Sequence, residues 1–233
     1  MYKLYIGNKN YSSWSFRPWL LMKTLGIEFE EVLVPFAGSN TAAQFKAFSP
    51  SSLVPCLHDY KVVVNDSLAI IEYLAEEYQQ VWPQEKRTRA WARSACAQMH
   101  SGFFEIRNQC PMNCGITFKL NDISAALAAD IEKVQALLEY GLQQFGGPFL
   151  AGNHFTAVDA FYAPVLSRFK TYQIELSPIL KAYSDKIESL VSWQTWYQQA
   201  IAETFRDDPH EAELATLGTI IEDRRAIVEQ SAG

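Results

Sequence analysis

Along the first eighty positions, apolar and polar residues alternate at two different periods. Residues 3–7, KLYIG, alternate with period two and predict a strand. In residues 15–26, SFRPWLLMKTLG, the spacing puts Trp19, Met22 and Leu25 on one side of a helix, with Gly26 as its C-terminal stop. Residues 28–34, EFEEVLV, alternate acid with apolar, as a strand with one solvated face does. Residues 41–48, TAAQFKAF, predict a short helix, and LVPCLH and YKVVVN predict two brief strands that turn at His58-Asp59. Residues 66–78, DSLAIIEYLAEEY, form a helix pattern with Leu68, Ile71, Leu74 and Tyr78 on its core face. The order is βαβ, then α, then ββα. A strand–helix–strand unit joins parallel neighbours, and the closely spaced third and fourth strands predict an antiparallel hairpin.

The pattern then changes. QQVWPQEKRT is polar with Pro83 as a breaker, which places a linker at 81–86 between a first domain, 1–80, and a second, 87–233. Beyond it, Ile123, Leu127, Ile131, Val134, Leu138 and Leu142 recur at helical spacing, as do Val158, Phe161, Tyr162, Val165 and Phe169. No stretch reads as a strand, so the second domain is expected to be all-helical. Thr156-x-x-Asp159 before the second run is a capping box with Asp in the Glu/Gln position, and Asp159 reads as structural. The tail AELATLGTIIEDRRAIV reads as one amphipathic helix packed on the surface, although it is also long enough to cover a cleft.

Composition narrows the function classes. At 48% hydrophobic, the 233-residue chain can build a sizeable core. A net charge of −6 gives no electrostatic reason to expect nucleic acid or an acidic membrane as partner. No apolar run approaches the roughly 20 residues of a membrane span, and the N-terminus reads as a strand instead of a signal peptide, so the expected location is cytoplasmic. Four cysteines do not make a disulfide framework. Cys110 and Cys114 form a C-x3-C pair with no second Cys/His pair beside it; they read as packing residues and no metal is expected.

Four separated segments, YSSWSFRPW, SLVPCL, DSLAIIEYL and HFTAVDA, occur in an order and spacing that resemble a cytosolic glutathione transferase over residues 3 to about 202. The serine-rich opening looks most like the zeta class, which includes maleylacetoacetate isomerases. The resemblance implies an α/β thioredoxin-like N-terminal domain that binds glutathione as co-substrate. It also implies an all-α C-terminal domain that supplies most of the pocket for a small electrophile, and a homodimer.

That reading explains why Ser12, Ser13 and Ser15 cluster, without a cysteine, where a helix begins. Glutathione brings its own thiol, and the protein has to stabilise the thiolate, which is the nucleophile. Lowering a thiol from about 8.5 to about 6.5 takes roughly 2.7 kcal/mol. One hydrogen bond to a charged partner supplies about 1.5–3 kcal/mol, and a helix N-terminus about 0.3–1 more. A hydroxyl donor at a helix start therefore suffices. Counted back from Gly26, Ser12 falls on the catalytic position of the serine classes. Ser15 reads as the N-cap, which puts Pro18 at a tolerable third helical position. Ser13 is a second donor candidate, and Tyr11 is the nearest rival hydroxyl.

The resemblance also makes Val54-Pro55 a cis-proline turn whose backbone pairs with the cysteinyl unit of glutathione. It places Ser67, at a helix N-terminus, on the γ-glutamyl carboxylate and Asp66 on the ammonium. The chain departs from the family at Ser52-Leu53, where many members carry Gly-Lys. A lysine for the glycyl carboxylate is missing there; Lys9, Gln44 or a residue of the helical domain is the candidate replacement. The electrophile pocket is expected in 93–114, with Met99, His100, Phe103, Phe104 and Arg107 as candidates. Two other readings compete. One is a binding protein with a retired site, because fold does not fix function. The other is a thiol–disulfide reductase, which wants a cysteine at position 12 that Cys56 does not replace.

Overall fold

In the computed structural model, which describes residues 1–227, the N-terminal alternation becomes β1 (Tyr2–Ile6), α1 (Ser13–Leu25), β2 (Phe29–Leu33), α2 (Thr41–Phe45), β3 (Cys56–Asp59), β4 (Val62–Asn65) and α3 (Ser67–Ala75). The strands form one sheet in the order β2-β1-β3-β4. β1 is parallel to β2 and antiparallel to β3, and β3 and β4 form the expected antiparallel hairpin. The hairpin turns at Tyr60-Lys61, later than expected, because His58 and Asp59 still pair with Val63 and Val62. Tyr60 makes the turn with φ 50°. α2 ends at Phe45 and is preceded by a 3-10 turn over Gly38–Asn40.

The helical part comprises α4 (Lys86–Ser101), α5 (Phe104–Gln109), α6 (Ala125–Phe145), α7 (Ala157–Thr171), α8 (Pro178–Glu188), α9 (Val191–Ala202) and α10 (Asp208–Leu217). α1 joins it to the sheet. α1 buries Phe16, Trp19, Leu20, Leu21 and Met22 all round its axis, as a helix with neighbours on every side must. Phe16 stacks on Trp196 of α9 at 4.6 Å, and Trp19 meets the same indole edge-on at 5.0 Å. α7 is the central helix: every residue of it except Lys170 is buried. Its capping box forms as the sequence predicts. Asp159 accepts from the Thr156 amide at 2.9 Å, from the Leu150 amide at 2.9 Å and from the Tyr183 hydroxyl at 3.1 Å. Burial raises its carboxyl to about 6, against the pull of those donors.

Two strands correct the all-helical expectation. β5 (Ile116–Leu120) and β6 (Gly218–Asp223) form an antiparallel pair with a register shift at Thr117/Phe118. The tail is therefore helix α10 and then strand, and Val228, the last residue of the expected helix, lies outside the described residues. The helical pattern breaks at Gly218, where the chain passes so close to β5 that a Cβ would stand 2.0 Å from the Lys119 carbonyl oxygen. The β-branched run Thr219-Ile220-Ile221 then favours a strand. No helix among the described residues is long and apolar enough to cross a membrane.

Candidate active site

The segment between β1 and α1 is a buried loop held from three directions. The Asn8 carbonyl accepts from the Tyr11 and Ser12 amides, and its side chain accepts from the Phe36 amide. Asn10 accepts from the Gly115 amide, and the Lys9 carbonyl accepts from the Trp196 indole. Glu203, its carboxyl raised by burial, accepts from the Lys9 and Asn10 amides. Lys9 itself is buried; its ammonium engages Glu31 and Gln199, so it is not free to replace the missing lysine. Gln44 is exposed and lines neither of the two cavities of the cleft.

This loop sets the hydroxyls. Ser12, not Ser15, caps α1, accepting from the Ser15 amide at 3.4 Å, so α1 starts earlier than expected and Pro18 is an interior residue. Ser12 also donates to the Ser15 hydroxyl at 2.7 Å. Ser15 is buried under the loop and accepts from the Gly7 amide at 3.1 Å. Ser13 accepts from the Arg168 guanidinium at 3.3 Å. Tyr11 donates to Glu211 at 2.6 Å, and burial, aided by that carboxylate, pushes its phenol far above the ordinary range. Its proton is thus committed to the tail.

Two cavities meet at Trp14, Leu53 and Val54. The smaller, about 370 Å³, is also lined by Pro55, Asp66, Ser67 and His100. The Val54-Pro55 bond is cis. Asp66 caps α3, accepting from the Leu68 amide at 2.8 Å, and holds φ 76°, a conformation that a residue with a Cβ adopts only when its surroundings impose it. Its other carboxylate oxygen lies 3.4 Å from His100 Nε2, across from the helical part. The Ser67 hydroxyl is fully buried and, among the described residues, has no hydrogen-bond partner.

The larger cavity, about 470 Å³, has Ser12 and Ser13 on one side and Arg107, Met112, Arg168, His210 and Glu213 on the other. Of the expected pocket residues, His100 and Arg107 line a cavity; Met99, Phe103 and Phe104 line neither. Met99 is core, Phe104 is exposed, and Arg93 pairs with Glu72. Cys110 and Cys114 are buried thiols, each pushed up to about 12 chiefly by burial. The expectation of a surface-packed tail is also corrected, since α10 supplies part of this wall. His210 stacks between Tyr11 and Phe36 at 5.0 and 5.3 Å, with Asp207 on its Nδ1 at 2.5 Å. Arg168, His210 and Glu213 had no signal in the sequence beyond helical spacing, because only the tertiary fold brings them to the cavity.

Residues 11–77 match the family model of the glutathione S-transferase N-terminal domain, and residues 121–199 match that of the C-terminal domain. Glutathione S-transferase Z2 of Arabidopsis thaliana is 27% identical over 86% of this chain and 93% of its own length. Maleylacetoacetate isomerase of Rattus norvegicus is 25% identical over 75% of this chain and 81% of its own. Among solved structures, a glutathione transferase homologue from Burkholderia with bound glutathione is similar in fold. Its TM-score is 0.65 at 22% identity, over 85% of this chain and 97% of that one.

Proposed function

The chain belongs to the glutathione S-transferase family, and from that premise we propose that it binds glutathione across the two joined cavities and activates the thiolate to add to, or isomerise, a small electrophile. The γ-glutamyl end lies in the smaller cavity, its carboxylate on Ser67 and its ammonium on Asp66. The cysteinyl unit pairs with the backbone at Val54, before Pro55, and its sulfur points to the serines at the start of α1, Ser12 or Ser13. The glycyl end runs toward Ser39 and Thr41, which line the larger cavity. Residues 1–80 form the glutathione-binding domain, and 87–233 supply the electrophile's wall. The protein works in the cytoplasm as a homodimer, which light scattering tests by mass.

The observation that carries this reading is the Ser67 hydroxyl. A buried polar group without a partner costs about 1–3 kcal/mol. This one stands at the N-terminus of α3, where free amides and the helix dipole favour an anion, and it opens onto a cavity with a carboxylate, Asp66, beside it. A ligand end carrying both a carboxylate and an ammonium satisfies both groups. Ser67→Ala is therefore expected to raise KM for glutathione roughly tenfold or more, while kcat at saturating glutathione stays close to wild type. An interaction equal in ground and transition states does not change the chemical barrier. An unchanged KM contradicts the placement.

A further inference from the structure

The cleft offers two serine hydroxyls, and their hydrogen bonds differ. A hydroxyl has one proton to give. The Ser12 proton goes to Ser15 at 2.7 Å, and the Ser12 oxygen caps α1, so both of its functions serve the helix. Ser13 does the reverse: its oxygen accepts from Arg168 Nη2 at 3.3 Å, and its proton meets no acceptor among the described residues. Arg168 is buried and locked, donating from Nε to the Cys110 carbonyl at 2.8 Å and from Nη1 to the Pro164 carbonyl at 3.1 Å. A cation on the oxygen of a hydroxyl withdraws electron density and makes its proton a stronger donor.

The charges around Ser13 call for an anion. Arg168 from α7, Arg107 from α5 and Arg17 from α1 lie close enough that each of the other two disfavours the charge on Arg17. Arg17 and Arg107 both face the Trp14 ring, at 4.2 and 4.9 Å. Among the described residues none of the three forms an ion pair with a carboxylate. Arg17 Nε and Nη1 and Arg107 Nε are buried without any partner. Burial and mutual repulsion lower Arg17 to about 9, and burial lowers Arg168 to about 10, so both remain charged at neutral pH. Other ionisable groups face this point. Tyr11 from the loop and His210 and Glu213 from α10 line the cavity. Asp66 at the start of α3 and the buried Cys96 of α4 favour the charge on Arg17. Cys110, Cys114 and Tyr172 lie toward Arg168, all three kept protonated chiefly by burial. Buried cations without a counter-ion are costly, and a thiolate on Ser13 supplies one.

We propose that Ser13, primed by Arg168 as a positioning residue, donates the hydrogen bond that stabilises the glutathione thiolate, and that Ser12 serves as the cap of α1. The inference rests on the reading of the cleft as a glutathione site. The glutathione thiol loses its proton to water, Ser13 keeps its own and shares it with the sulfur, and no bond of the protein is made or broken.

The test is the ultraviolet absorbance of the bound thiolate, titrated with saturating glutathione. Ser13→Ala is expected to raise the midpoint by about one to two units, following the strength of a hydrogen bond to a charged group. Ser13→Thr, which keeps the hydroxyl, is expected to lie between Ser13→Ala and wild type. Arg168→Gln is expected to raise the midpoint by about one unit, with partial rescue in Arg168→Lys, a pattern that a purely structural arginine does not produce. Ser12→Ala is expected to lower thermal stability and to move the midpoint by less than half the Ser13→Ala shift. A Ser12→Ala shift equal to or larger than that of Ser13→Ala overturns the proposal. So does an unmoved midpoint in a folded Arg168→Gln protein; if that variant does not fold, the comparison of the two serine variants decides alone. S-methylglutathione, which has no thiol, separates the two levels of the claim. If it binds and the serine pattern is wrong, the assignment of Ser13 fails; if neither it nor glutathione binds, the glutathione site itself fails.

Discussion

The two walls of the cleft are built in different ways. The wall from the sheet domain consists of short local devices: a cap and its helix at Ser12, a cis-proline turn at Val54-Pro55, and a second cap at Asp66-Ser67. Each needs only a few consecutive residues. The wall from the helical part takes Arg107 from α5, Arg168 from α7 and His210 and Glu213 from α10, positions more than a hundred residues apart. It holds its shape through distant contacts, such as Tyr11 with Glu211, Ser13 with Arg168, and β5 with β6. The first wall presents backbone and hydroxyls from local turns, although the loop before Ser12 is tied down by Phe36, Gly115, Trp196 and Glu203. The second carries the buried charge and depends on the fold around it.

Substitutions at three places sharpen that contrast. The largest effect is expected at Asp159, whose carboxylate starts α7 and so fixes Arg168. Asp159→Ala removes a cap and leaves the Leu150 and Thr156 amides and the Tyr183 hydroxyl buried without their acceptor. A loss of about 3 kcal/mol or more follows from the cap and the orphaned donors, seen as a Tm lower by roughly 6–12 °C. The same residue gives a pH signature. With its carboxyl raised from 3.8 to about 6, the native state holds a proton that the unfolded state has lost. Stability contributed by this group therefore falls as pH rises from about 4 to about 6 and is level above that. Denaturant titrations across that window should show wild type losing stability relative to Asp159→Asn as pH rises; parallel curves contradict the shift.

A smaller effect is expected at the tail. Gly218→Ala drives a methyl into the Lys119 carbonyl and should cost about 1–3 kcal/mol, as overpacking does. Hydrogen exchange should speed up in β5, β6 and α10 while β1 to β4 keep their protection. Equal loosening of the sheet would mean that the walls are not independent. The smallest effect is expected from Tyr11→Phe, which removes one hydrogen bond to Glu211, a residue that keeps Arg225. About 1 kcal/mol is expected in chemical denaturation.

Legibility in the sequence divides along the same line. The order of the N-terminal elements, the stop at Gly26 and the capping box were readable because each is set by neighbours in sequence, whereas the cis bond at Pro55 was implied by the family resemblance. The assignment of the cap to Ser15 missed because the Asn8 carbonyl folds the loop back so that α1 begins at Ser13, and residues distant in sequence, Phe36, Gly115, Trp196 and Glu203, hold it there. Lys9 looked available because a lysine is ordinarily exposed; Glu31, Gln199 and the indoles of Trp19 and Trp196 enclose it. β5 and β6 went unread because residues 116–120 and 218–223 become strands only by pairing with each other.

The central claim is that the cleft binds glutathione as its thiolate, and proton release on binding tests it most directly. With a free thiol near about 8.5 and a bound one near about 6.5, binding at pH ~7.5 should release roughly 0.8 of a proton per glutathione. Calorimetry in two buffers of different ionisation enthalpy measures that number, and S-methylglutathione should bind with none released. Binding of both ligands without proton release, or no binding of either, contradicts the account.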